Sequence, residues 1–108
     1  MGTIPSEIGL LTTLIILQMY NNTLNGSLST ELGQLTALTW LDLHANLFTG
    51  TLPTELSRIP ALEAFLAYQN EFKWALPTQF GQWMKLKMFA IDNNGFTGTI
   101  PTEFGHLR

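Results

Sequence analysis

The chain has no cysteine. That excludes a disulfide framework, a thiolate zinc site and a cysteine nucleophile, and it leaves the redox compartment open. Charge is sparse: five Lys and Arg and eight Asp and Glu among 108 residues, a formal net charge of −3. The basic residues are scattered singly, so no patch exists to neutralise a phosphate backbone, and no nucleic-acid partner is expected. There is no glycine-rich phosphate loop. The stretch LLTTLIILQM, Leu10 to Met19, is too short to cross a bilayer. It also lacks the basic segment that precedes a signal-peptide core. No direct membrane insertion by this segment is therefore expected, and no cofactor or metal.

What the chain has is a period. LTALTWLDLHANLFTGTLPTELSR, from Leu35 to Arg58, is 24 residues long, and the next copy starts at Ile59 in the same register. Asn22, Asn46, Asn70 and Asn94 share one column, and Leu14, Leu38, Leu62 and Leu86 share another. Pro5, Pro53, Pro77 and Pro101 form a third, with Ser29 in the gap. Gly9, Gly33, Gly81 and Gly105 form a fourth, with Ser57 in the gap. A fixed period of this length marks a stacked repeat and outranks local propensity. The start MGTIPS matches a myristoylation pattern, but Gly2 is in register with Gly26, Gly50 and Gly98, so the repeat already explains it.

These columns resemble the leucine-rich repeat family in its plant-type subclass, L-x-x-L-x-x-L-x-L-x-x-N-x-L-x-G-x-I/L-P-x-x-L-G-x. The resemblance covers the chain as one array, residues 1–108: a partial coil 1–10, full repeats 11–34, 35–58, 59–82 and 83–106, and a partial 107–108. It implies an α/β repeat solenoid, a right-handed coil with a parallel concave β-sheet and short 3-10 or α turns on the convex side. It also implies a second, shorter sheet on one flank, expected near Leu28, Leu52, Leu76 and Ile100, and a segment of a longer protein. Scaffold alone does not fix function.

Local chemistry agrees with a coil. Pro53-Thr54-Glu55-Leu56-Ser57 and its equivalents read as one helical turn: Pro sets φ, Glu suits the positive end, and Gly, where present, permits the exit. The segments Ile15 to Asn22 and Thr39 to Asn46 read as strands, with Leu41 and Leu43 inward and Trp40, Asp42 and His44 outward. Inward columns are Leu17, Leu41, Phe65, Phe89; Met19, Leu43, Ala67, Ile91; and Leu24, Phe48, Phe72, Phe96. Stacked interior phenylalanines are core packing. The family's asparagine ladder implies that Asn22, Asn46, Asn70 and Asn94 bond the backbone within the coil. A buried polar residue requires such bonds. Lys73-Trp74-Ala75 departs from the Thr-Gly-Thr of Thr49-Gly50-Thr51 and Thr97-Gly98-Thr99, and reads as loop drift ahead of an exposed aromatic contact.

Catalysis finds no support. Asp42 can orient the imidazole of His44, but no Ser or Cys nucleophile lies in the outward columns. His44 and His106, the two histidines, fall on different surfaces of the coil. The outward strand columns carry the function. They are Ile16, Trp40, Ala64, Met88; Gln18, Asp42, Leu66, Ala90; and Tyr20, His44, Tyr68, Asp92. A solvated face has no structural need for Trp, Ile, Leu and Met side by side, and such patches mark binding sites. The candidate ligand-binding residues are Ile16, Gln18, Tyr20, Trp40, Asp42, His44, Leu66, Tyr68, Met88 and Asp92. Bordered by Glu63 and Glu71, they suit an apolar anchor with a polar or basic neighbour.

The expected partner is a protein or peptide, bound by a receptor ectodomain or secreted inhibitor at the cell surface or outside it. The alternatives are a structural segment of a longer array, or ice or polysaccharide binding on the flank, where Lys73-Trp74-Ala75 breaks the threonine lattice. Asn21-Asn22-Thr23 and Asn25-Gly26-Ser27 are N-glycosylation sequons, and both Asn21 and Asn25 are expected to be exposed. Apolar coil ends and unpaired strand edges suggest end-to-end self-association.

Overall fold

The computed structural model describes residues 2–74 and 76–96. Each 24-residue repeat makes one coil of a leucine-rich-repeat solenoid. Four three-residue strands, β1 (Ile16–Gln18), β3 (Trp40–Asp42), β5 (Ala64–Leu66) and β7 (Met88–Ala90), pair in that order as a parallel sheet, the concave face. The register advances by one repeat per strand: Leu17 faces Leu41, Leu41 faces Phe65, and Phe65 faces Phe89. The strands are shorter than the alternation suggests. Each is followed by a left-handed residue, Asn21, Ala45, Gln69 or Asn93, at φ between 55° and 59°. That residue turns the chain off the sheet.

Two of these four positions, Gln69 and Ala45, are not asparagine, and the apolar one is Ala45. Its Cβ is disfavoured at φ 59°, at roughly 1–2 kcal/mol, whereas asparagine tolerates the region better. Ala45→Gly is therefore expected to raise the unfolding free energy by about 1 kcal/mol, net of the glycine's looser unfolded state. Urea melts of the two proteins check it, and a fall in stability would contradict the strain.

The second sheet is β2 (Asn25–Gly26), β4 (Leu47–Gly50), β6 (Glu71–Trp74) and β8 (Gly95–Phe96), again parallel. It lies nearer the asparagine column than expected. Leu28, Leu52 and Leu76 are buried but follow the strands, because each chain must leave the flank there to begin its convex turn. Asn25 accordingly sits in a strand, half-buried, with its N–H donated to Gly2 O at 2.9 Å. Asn21 is exposed. The side chain of Trp74, and residues Ala75, Ile100 and His106 with the sequence readings placed on them, lie outside the described residues; the Trp74 backbone is in β6 opposite Phe96.

Among the described residues the convex side carries four 3-10 turns, Ser6–Leu10, Thr30–Gln34, Thr54–Arg58 and Thr78–Gln82. Proline precedes three of them. Ser29 replaces it in the second and compensates, its Oγ accepting from Glu31 N at 3.1 Å. The glycines do not serve the exit. Leu11 and Leu35 terminate the first two turns. Gly9 and Gly33 are there because the turns of successive coils touch. A Cβ on Gly9 would stand 2.8 Å from Glu31 O, and one on Gly33 would stand 2.4 Å from Glu55 O.

Leucine and phenylalanine columns fill the interior. Leu32, Leu35, Leu38, Leu41, Leu43, Phe48, Phe65 and Phe72 are fully buried. Phe48, Phe72 and Phe96 stack with centroids 5.9 and 6.1 Å apart. Trp83 takes a leucine position and places its extra polar atom by donating Nε1–H to Leu56 O at 2.9 Å. At the first coil Leu10, Leu11, Ile15 and Ile16 are exposed. No helix among the described residues is long and apolar enough to cross a membrane.

Candidate ligand-binding surface

Strand alternation sends Leu17, Leu41, Phe65 and Phe89 into the core, so their neighbours must face the concave side. Along one edge of that face run Ile16, Trp40, Ala64 and Met88, one per strand. Ile16 and Met88 are exposed, Trp40 is half-buried and Ala64 is buried. The small Ala64 leaves the neighbouring Trp40 and Met88 as the bulk of this strip. The Trp40 Nε1 is buried with no hydrogen-bond partner among the described residues. An orphaned donor of this kind costs about 1–3 kcal/mol and is rare in folded proteins.

The opposite edge carries Tyr20, His44 and Tyr68, just past the strand ends. Parallel in-register coils place identical positions one strand spacing apart, about 4.8 Å, which is close to ring-stacking distance. The rings stack accordingly. Tyr20 and His44 lie 4.9 Å apart at 4°, and His44 and Tyr68 lie 4.4 Å apart at 8°. Asp42 fixes the central ring. Its Oδ1 lies 2.5 Å from His44 Nδ1 and also accepts from the His44 backbone N at 3.2 Å. A carboxylate only accepts, so Nδ1 carries the proton.

Not every candidate is available to a ligand. Asp42 lies on the concave side of its strand but is only 5% exposed, because the imidazole covers it. Its carboxylate is engaged by His44. Gln18, Tyr20 and Asp92 are exposed, while His44, Leu66 and Tyr68 are half-buried. Of the bordering carboxylates, Glu63 lies 3.9 Å from Lys87 Nζ. Glu71 belongs to the flank sheet. The sequence shows the shared column of Tyr20, His44 and Tyr68 but not their stacking, which depends on side-chain rotamers. Among the described residues no three His, Asp or Glu side chains group to hold a metal. A hollow of about 460 Å³ at the fourth coil is lined by Phe89, Ala90, Ile91, Asp92, Asn93, Asn94 and Phe96. Most of these are core-column residues, so the hollow is the stacking face of that coil and not a pocket in the sheet.

The chain matches the Leucine Rich Repeat family model at residues 37–59 and 85–107. No curated protein sequence matches it. Among solved structures it is similar to the ectodomain of the Arabidopsis thaliana membrane receptor kinase GASSHO1/SCHENGEN3 in complex with CASPARIAN STRIP INTEGRITY FACTOR 2. The TM-score is 0.96 and the identity 31%, over 99% of this chain and 13% of that one. It is similar to the plant peptide hormone receptor RGFR1 in complex with RGF2, with a TM-score of 0.94 and 35% identity over 95% of this chain and 16% of that one. A plant ice-binding protein has a TM-score of 0.92 and 27% identity, over 97% of this chain and 34% of that one. The chain thus spans about a third or less of the length of each. With the coil register, the two parallel sheets and the convex 3-10 turns, these similarities place it: the chain belongs to the leucine-rich repeat family, in its plant-type subclass.

Proposed function

We propose that this array is a non-catalytic recognition module that binds a protein or peptide on its concave sheet, as part of an extracellular or cell-surface receptor ectodomain. One observation carries the proposal. The concave face holds an apolar strip of Ile16, Trp40 and Met88 parallel to a locked Tyr20–His44–Tyr68 stack, and none of these side chains belongs to the buried core. A preorganised aromatic surface loses little conformational freedom when a ligand lands on it. The similar receptor structures with bound CASPARIAN STRIP INTEGRITY FACTOR 2 and RGF2 support the same assignment.

The test is selection of peptides from a displayed library against the purified array, followed by affinity measurement on variants. Trp40→Ala and Tyr68→Ala are expected to weaken the selected peptides by about tenfold or more. Thr49→Ala on the flank should leave them unchanged. Equal binding by all three variants would refute concave recognition.

A second reading has one observation in its favour, the similarity to a plant ice-binding protein. Its surface would be the flank sheet. There the register sets Thr49 beside Glu71, and Lys73 beside Gly95. These residues make no repeating flat lattice, so no arrest of ice recrystallisation is expected from the array.

A further inference from the structure

The aromatic column on the concave face stops one coil early. Tyr20, His44 and Tyr68 lie one above another, and the fourth residue of the column is Asp92. The backbone ladder continues past Tyr68, with Gln69 N donating to Asp92 O at 3.0 Å, so Asp92 occupies the next step of the same column. An aspartate side chain is much shorter than a tyrosine. The level where a fourth ring would lie is therefore left to whatever binds, with a carboxylate at its base. Among the described residues no ring stacks on the second face of Tyr68, and Asp92 makes no ion pair.

We infer that this step, between the open face of Tyr68 and the Asp92 carboxylate, seats a planar cation: the guanidinium of an arginine side chain in the bound peptide. The seat rests on the concave-face function proposed above. A guanidinium is flat and weakly hydrated. It stacks on a tyrosine face as a cation and presents a fork of N–H donors to a carboxylate edge at the same time. An ammonium is a compact point charge that can meet one of the two partners well but not both. The rest of the face leaves Asp92 as the recognising charge. Asp42 is committed to His44, Glu63 has Lys87 nearby, and Glu71 is on the flank. The formal net charge of −3 favours the approach of a cation in general, and Asp92 gives it a place. His44 holds Tyr68 at a stacking distance of 4.4 Å, so the ring is already oriented before the ligand arrives.

The experiment is an NMR titration of the isotope-labelled array with N-acetyl-arginine amide and, in parallel, N-acetyl-lysine amide. The arginine probe should bind weakly and saturably, shifting the Tyr68 ring and Asp92 resonances, with the lysine probe several-fold weaker. Asp92→Asn should lower the arginine affinity by about tenfold, the loss expected of a charge-assisted bidentate pair. Tyr68→Leu should lower it comparably. Glu71→Gln removes the same charge from the flank and should change nothing. Three results would overturn the seat: no saturable shift at Tyr68 and Asp92, equal binding of the lysine probe, or the same loss from Glu71→Gln as from Asp92→Asn. Concave recognition has a separate readout. Selected peptides that need Trp40 but show no preference for arginine would leave that function standing and remove the seat alone.

Discussion

Asn70→Ala is expected to lower the unfolding free energy by about 3 kcal/mol, because it leaves a buried backbone N–H of the preceding coil without a partner and removes a second inter-coil bond. Asn70 is 8% exposed. Its Oδ1 accepts from Phe48 N at 3.1 Å, and its Nδ2 donates to Leu43 O at 2.9 Å; both partners belong to the preceding coil. The same Nδ2 also meets Ala67 O at 3.2 Å and Tyr68 O at 3.3 Å in its own coil. Alanine leaves the Phe48 N–H buried without a partner, at about 1–3 kcal/mol, while the Leu43 carbonyl keeps its bond from Asn46 Nδ2 at 3.1 Å. Asn46 repeats the pattern against Leu24 N and Met19 O, and Asn46→Ala should cost nearly as much. Asn22 provides the control. It is exposed, and among the described residues its Nδ2 reaches Met19 O and Tyr20 O, both in its own coil. Asn22→Ala should therefore cost less than about 1 kcal/mol, since water can replace an exposed bond. Urea denaturation of the three variants decides. Equal losses at Asn22 and Asn70 would show that the inter-coil bonds do not carry the stability.

Gly33→Ala should cost about 3 kcal/mol, at the upper end of overpacking in a fixed interior. The added methyl would lie 2.4 Å from Glu55 O and 3.0 Å from Glu55 C. Both are backbone atoms of the next convex turn, which cannot swing aside as a side chain would. Gly9→Ala meets Glu31 O at 2.8 Å and should cost less. Gly50→Ala separates crowding from conformation. Its Cβ would meet only Ser27 Cβ at 3.5 Å, so its cost is the φ of +78°, roughly 1–2 kcal/mol. The close approach concerns the first three turns; at the next step the column holds Ser57, which already carries a Cβ. Thermal melts should rank Gly33→Ala below Gly50→Ala. The reverse ranking would mean that glycine serves turn conformation on the convex side.

That distinction shows where sequence reasoning stopped. The glycine column was visible, but a column of glycines has two physical explanations, a left-handed backbone or a close neighbour. Only the position of the adjacent coil separates them. The same holds for Asp42. Alternation puts it outward with Trp40 and His44, which predicts a carboxylate open to a ligand. Its carboxylate is covered by the very imidazole it holds, a consequence of side-chain rotamers that periodicity does not encode. The apolar Leu52 column predicts the flank sheet a few residues late, since it marks burial, whereas the strand that precedes it is written in backbone hydrogen bonds.

What the sequence determined by itself is the coil. A 24-residue period with leucine, asparagine, proline and glycine in fixed columns admits one economical packing, since each coil can bury its interior only against a copy of itself. The parallel register, the core columns and the inter-coil asparagines follow from that repetition. What only the tertiary structure decided is how the columns meet on the surface. The spacing of adjacent strands brings Tyr20, His44 and Tyr68 to stacking distance, and it removes Asp42 from solvent while leaving Asp92 in it. The same nearness of coils turns Gly9 and Gly33 into contact points. Period fixes which residues share a column, but contact across a column depends on side-chain length and rotamer, and these appear only once the coils are stacked.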